Sequence, residues 1–81
     1  RALRTQQGDL AAAEQAYKRA LLLRPSYARA FHLYGRTRER QARRDDAMEL
    51  YLRALSLDPY SAPINYDLGR LHDKMGQFDE A

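Results

Sequence analysis

The chain contains no cysteine, which excludes disulfide bonds and thiolate metal sites. The same absence suits any redox environment, so it leaves the cellular compartment open. No stretch approaches the ~18–20 uncharged apolar residues of a membrane-spanning helix, and we expect no membrane span. No basic segment followed by an apolar one opens the chain, so a signal segment is not expected either. The length of 81 residues allows one domain at most.

The net charge of +3 conceals an uneven distribution of charge along the chain. Residues 1–44 contain 11 Lys or Arg and 3 Asp or Glu, a net charge of +8. Residues 45–81 contain 3 and 8 of these, a net charge of −5. Such opposite halves favour head-to-tail contact or an acidic partner, although two solvated faces of unequal composition explain them equally well.

The chain repeats itself at an interval of 34 residues. The segment YKRALLLRP at 17–25 returns as YLRALSLDP at 51–59, and 14 of the 47 residue pairs at this spacing are identical. Self-similarity at a fixed period is typical of stacked supersecondary units. Pro25 and Pro59 cannot continue a helix, so each is expected to close its unit.

Each unit is predicted to contain two helices. The first has an apolar stripe of helical period, formed by Ala30, Phe31, Tyr34 and the stem of Arg38. Residues 45–57 follow the same period, and no segment alternates polar and apolar residues over a useful length. The predicted fold class is therefore all-α.

Turns are predicted between the two helices of each unit. Residues 42–44 mark such a turn, and the glycine-containing pairs at 8–9 and 76–77 hold the equivalent places. Asp9 suits the N-cap of the helix that would follow the first of these turns.

Small residues where helices cross, a glycine in the first helix and the pattern A-x-x-x-Y-x-x-A-L-x-L-x-P resemble the tetratricopeptide repeat. The matching residues in one unit are Gly35, Ala47, Tyr51, Ala54, Leu57 and Pro59. The resemblance covers essentially the whole chain. It implies an α-α superhelix, a right-handed solenoid of antiparallel helix pairs with a concave groove. Tyr17, Ala20 and Leu23 would then pack against neighbouring units.

The predicted organisation is one complete repeat at residues 28–61, between partial repeats at 1–27 and 62–81. Because the flanking units are incomplete and neither end has a polar capping helix, we expect a fragment of a longer array. Alternatively, two copies cover each other's open ends.

The resemblance implies that the first helix of each pair lines the groove. The candidate peptide-binding residues on these helices are Arg29, His32, Arg36, Glu39, Arg40, Tyr66, Asp67, Arg70 and Lys74. Arginine forks suit carboxylates and phosphates, so we expect a protein or peptide partner of acidic character. The four cations expected to grip it are Arg36, Arg40, Arg70 and Lys74. The alternative is a solvated face on which each arginine pairs with a carboxylate of its own helix.

No catalytic, metal or cofactor site is expected. His32 and His72 lack the partner four residues on that a helical zinc pair requires, and His72 is expected near the core side of its helix. Asp45 and Asp46 are adjacent and point in different directions, unlike a catalytic pair. No glycine-rich phosphate loop is present.

A nucleic-acid partner is not expected. Five arginines lie within nine residues, 36–44, but no aromatic side chains are interleaved among them as a stacking platform for bases. The leading prediction is a scaffold that binds a peptide or partner protein in its concave groove. The alternatives are a self-association module that forms homo-oligomers through open repeat ends, and a substrate-recruiting arm of a larger enzyme.

Overall fold

A computed structural model describes the backbone of residues 6–80 and the side chains of residues 8–76. This part of the chain forms four helices and no strand: α1 Gln6–Leu23, α2 Ala28–Arg40, α3 Arg44–Leu57 and α4 Ala62–Glu80. The prediction of an all-α fold is confirmed. Consecutive helices pack against each other, because only three or four residues connect them. Among the described helices, none combines the length and the hydropathy of a membrane-spanning segment.

The turn between α2 and α3 is formed where the repeat predicts it. The Arg43 amide donates to the Arg38 carbonyl, and the Ala42 amide donates to the Glu39 carbonyl, both at 2.9 Å. These two bonds are the Schellman pattern that ends a helix. Ala42 has φ 64°, so an alanine occupies the left-handed conformation that usually favours glycine. Packing of α3 back onto α2 must offset that strain.

The connections after α1 and α3 also follow the sequence pattern. Both helices end two residues before a proline, at Leu23 and Leu57. The Ser61 hydroxyl accepts the Ile64 amide at 3.4 Å and so caps the start of α4. The prediction that the prolines close each unit is confirmed.

The turns predicted at residues 8–9 and 76–77 are wrong. Helix α1 runs through the first pair, and α4 runs through the second as one helix of 19 residues. No glycine in the described part of the chain has a positive φ. Glycine permits a turn, but it also accepts helical dihedral angles at a cost of about 1 kcal/mol. Asp9 therefore lies in the first turn of α1 rather than at an N-cap.

The core is centred on α3. Ala47, Tyr51 and Ala54 are fully buried between α2 and α4, together with Leu71 of α4. A Cβ atom added to Gly35 of α2 would lie 2.7 Å from two ring carbons of Tyr51. Small residues thus allow the helices to approach closely around one large aromatic ring, as the repeat predicts.

The leucines of the repeated segment do not share this environment. Leu23 is 79% exposed and Leu57 is 42% exposed. The expectation that Leu23 packs against a neighbouring unit is therefore wrong within the described residues. Both leucines stand in the last turn of their helices.

Candidate functional site

A polar network joins α2 to α4 along the face that contains most of the candidate groove residues. His32 Nε2 lies 2.7 Å from Asp67 Oδ2, and both side chains are largely buried. Arg70 Nη2 donates to Asp67 Oδ1 at 3.3 Å. The first contact joins α2 to α4, although 35 residues separate His32 from Asp67, and the second lies within α4 and orients the Asp67 carboxylate.

Glu39 is the centre of the network. Its carboxylate accepts two hydrogen bonds from Arg70, at 2.8 and 3.2 Å, and one from the Tyr51 hydroxyl at 2.8 Å. Lys74 Nζ adds a contact at 3.4 Å. Only 9% of the Glu39 side chain is exposed. Three helices therefore meet at one carboxylate, α2 through Glu39, α3 through Tyr51 and α4 through both cations.

The electrostatics of the network favour its charged form. Burial alone would raise the pKa of Glu39, but hydrogen bonds from Arg70 and Tyr51 outweigh burial and hold that pKa below its ordinary value. The pKa of Asp67 is likewise lowered, because hydrogen bonds to His32 and Arg70 overcome burial. Burial and the bond to Glu39 raise the pKa of Tyr51, so its hydroxyl stays a donor. Both carboxylates are ionised at neutral pH.

Two neighbouring clefts open on this face, and Arg36 borders both. The first, about 290 Å³, combines charged residues with an apolar floor that includes Leu33, Pro63 and Ile64. The second, about 240 Å³, is surrounded by four cations and one carboxylate: Arg36, Arg40, Arg70, Lys74 and Glu39. A ligand lying across both clefts would meet an apolar surface and then a positive one.

The structure divides the nine candidate residues into three groups. Arg29, Arg36, Arg40 and Lys74 are exposed and line the clefts. His32, Glu39, Asp67 and Arg70 satisfy one another between the helices. Tyr66 is 69% exposed and lines neither cleft. That any of them binds a peptide stays a prediction.

Two interpretations made from the sequence need correction. The pairing of charges within each helix is wrong for Glu39, which pairs with Arg70 and Lys74 of the other helix. The placement of His72 near the core side of α4 is also wrong, because His72 is exposed. Helical spacing alone defines the face of a helix but not which neighbouring helix covers it.

Sequence reasoning missed the apolar part of the first cleft. Pro63 and Ile64 lie 34 residues after Arg29 and Ala30, so the repeat itself places them beside the groove. A comparison of the unlike positions of the two units could have found them. Within the described part of the chain, no group of three or more His, Cys, Asp or Glu is placed to hold a metal ion.

Comparison with known proteins agrees with this architecture. Two family models described as tetratricopeptide repeat match the chain, one over residues 40–81 and the other over residues 3–27. The human protein O-mannosyl-transferase TMTC3 is 30% identical over 79 residues, which cover 98% of this chain and 9% of that protein. A barley (Hordeum vulgare) protein named as the probable UDP-N-acetylglucosamine–peptide N-acetylglucosaminyltransferase SPINDLY is 32% identical over 82 residues, 93% of this chain and 9% of its own length. The chain thus spans about a tenth of these relatives.

Proposed function

The chain belongs to the tetratricopeptide repeat family, whose members bind proteins or peptides, and on that premise we propose that it binds an acidic segment of a partner protein across the α2–α4 face. The observation that carries the proposal is the position of Arg36. Its side chain is 57% exposed and borders both clefts, and among the described residues it forms a single ion-pair contact, a long one of 3.9 Å with Asp67. Its guanidinium is therefore available to a ligand carboxylate.

The polar network between α2 and α4 supports the proposal, because it separates the structural cation from the cations that remain exposed. Arg70 donates hydrogen bonds to Glu39 and Asp67, so its guanidinium stabilises the packing of the helices and is less available to a ligand. The backbone positions from which the cations at the rim extend are then fixed relative to one another, which lowers the entropic cost of binding. Since three cations with exposed side chains, Arg36, Arg40 and Lys74, surround one buried carboxylate, the second cleft attracts an anion.

The apolar floor of the first cleft adds a preference to the charge. An acidic segment that also carries an apolar side chain can place that side chain against Leu33, Pro63 and Ile64. We expect such a segment to bind better than a uniformly acidic one, because burial of apolar surface adds to the ion pairs.

The experiment compares fluorescent peptides by anisotropy: acidic with an apolar residue, uniformly acidic, and neutral. We expect the first to bind most tightly and the neutral peptide not to bind. The double variant Arg36→Glu/Arg40→Glu should weaken binding at least tenfold, whereas Arg19→Glu, a charge reversal on the exposed surface of α1, should change it little. Equal binding of the neutral peptide, or an unchanged affinity of the double variant, would contradict the proposal.

A second candidate function is suggested by the relatives. Both are named as glycosyltransferases, and the chain matches about a tenth of each. We propose as this alternative that the chain recruits an acidic protein substrate to a catalytic domain in the same polypeptide, without itself catalysing a reaction. The full reading frame tests it first, and a frame with no catalytic domain rules it out. Where such a domain exists, the double variant should raise KM for protein substrates and leave kcat unchanged.

A further inference from the structure

The buried ring of Tyr51 lies in a cradle on α2 that is formed by three residues, His32, Gly35 and Glu39. Gly35 faces the ring at a distance that leaves no room for a Cβ atom. The His32 ring meets the Tyr51 ring edge-on, with 5.8 Å between centroids. Glu39 accepts the hydroxyl hydrogen bond at 2.8 Å. The cradle thus provides a slot, an aromatic side and an acceptor, spaced along one face of a helix.

Helix α4 carries the same three features one repeat later. Tyr66, Gly69 and Asp73 lie 34 residues after His32, Gly35 and Glu39, and each replacement keeps the required chemistry. All three are exposed, on a single stripe of α4. A Cβ atom added to Gly69 would have nothing within 4 Å. Among the described residues, no tyrosine occupies this cradle on α4.

Helix α1 carries a tyrosine whose cradle is missing among the described residues. Tyr17 precedes Tyr51 by one repeat and is flanked by Ala13 and Ala20, as Tyr51 is flanked by two alanines. The α3 residues are fully buried, whereas their three α1 counterparts are only half-buried. Beside them Ala12, Ala16 and Leu22 contribute to an open cleft of about 510 Å³.

We propose that Tyr17 of one copy of this chain enters the cradle on α4 of a second copy. Its ring would lie over Gly69 with its edge toward Tyr66, and its hydroxyl would donate to Asp73. The two helices match in length, with 18 and 19 residues. Residues 1–24 contain five Lys or Arg and two Asp or Glu, a net charge of +3, whereas residues 62–81 contain two and four of these, a net charge of −2. The contact therefore also brings segments of opposite net charge together.

This interface joins two different surfaces, so it is heterologous. Each copy offers one tyrosine helix and one cradle, which generates open stacks or closed rings rather than a symmetric pair. The contact lies on the stripe of α4 that lines neither cleft of the peptide-binding face. It is therefore separable by mutation from the binding proposed above.

Sedimentation equilibrium of the 81-residue chain from about 10 μM to 1 mM tests the proposal over dissociation constants of the same range. We expect the average mass to rise above that of one 9.4 kDa chain as concentration increases. Gly69→Leu fills the slot at an open position, so the variant should fold and remain a monomer. Tyr17→Ala should also remain a monomer, with circular dichroism to establish that it is helical.

Mixing the two variants gives the sharpest result. Gly69→Leu keeps an intact Tyr17, and Tyr17→Ala keeps an intact cradle, so together they should form one interface and a mass of two chains only. A matched pair of tyrosines provides the control. Tyr66→Ala should weaken association at least tenfold, whereas Tyr60→Ala, which removes a 95% exposed tyrosine from the connection before α4, should leave it unchanged.

A wild-type chain that stays monomeric throughout this range would overturn the proposal. Association that persists in Gly69→Leu would also overturn it, since another surface must then be responsible. Should Tyr17→Ala fail to fold, the wild-type and Gly69→Leu measurements still decide the outcome.

Discussion

Helices α1 and α3 carry the same repeated segment, but the structure gives the two copies different environments. The tyrosine and two alanines of α3 have no exposed surface, because α2 and α4 enclose them. The same three residue types on α1 are only half-buried. The ring of Tyr17 packs against the ring of Tyr34, with 6.3 Å between the ring centroids. Identical residues thus form a core in one copy and part of a surface in the other.

The polar contacts of the two helices differ in the same way. Tyr51 of α3 donates to a carboxylate that is also bound by α4. The comparable contact of α1 is a bond from Arg38 to Glu14 at 2.9 Å, which links α1 to α2 alone. Burial in a repeat protein is therefore set by the interface between units and not by the repeated residues themselves.

Truncation of either tyrosine should have the largest effect on stability, and the effect should differ between α3 and α1. Tyr51→Ala should lower the free energy of unfolding by about 3–5 kcal/mol, as truncation of a fully buried aromatic residue does. Tyr17→Ala should cost about 1–2 kcal/mol, because only part of that side chain is buried. Urea unfolding of dilute protein, followed by circular dichroism, measures both. Equal losses would mean that the two tyrosines share one environment.

The glycines allow a second, smaller test with opposite signs. Gly35→Ala places a Cβ atom against the Tyr51 ring. Overpacking should cost about 1–3 kcal/mol, and improved helix propensity should return about 1 kcal/mol, so we expect a net loss of stability of the fold. Gly69→Ala meets no atom and should stabilise it by about 0.5–1 kcal/mol. Thermal melting points of the two variants should move in opposite directions. A gain from both substitutions would show that Tyr51 gives way to a Cβ atom at no cost.

The smallest effect concerns pH. The pKa of Glu39 is lowered from an ordinary value of 4.5 and that of Asp67 from 3.8, so both contribute stability at neutral pH. That contribution is complete above the ordinary values and is lost as pH falls through the lowered ones. Glu39→Gln should therefore make the urea midpoint less dependent on pH between pH 5 and about 2 than in the wild type. Glu14→Gln offers the matched change on the α1 side, where the pKa is also lowered. A wild-type slope retained in Glu39→Gln would locate the acid sensitivity elsewhere.

The helical layout follows from local sequence, and most of it could be predicted. Ala30, Tyr34 and Arg38 recur with helical period, and all three pack as expected, with Ala30 buried and Arg38 largely so. The helix ends before the prolines could also be predicted, since a proline disfavours continuation of a helix whatever residues surround it.

The remainder depends on how helices are placed relative to one another. Glu39 and Arg70 are 31 residues apart, and nothing in their own segments identifies them as partners. The glycine at residue 76 is compatible with a turn or with a helix, and packing against a neighbouring helix selects one of the two conformations. At Ala42 packing stabilises the turn even without glycine, because α3 packs back onto α2.

The shared carboxylate of Glu39 also has a consequence for how the fold comes apart. Detaching α4 removes Arg70 and Lys74 from Glu39, and it leaves an ionised group whose burial depended on them. Loss of α3 removes the Tyr51 donor from the same atom group. Neither helix can therefore separate without weakening the hold on the other. The three helices α2, α3 and α4 should unfold in a single cooperative transition, although they belong to two different repeats of the sequence.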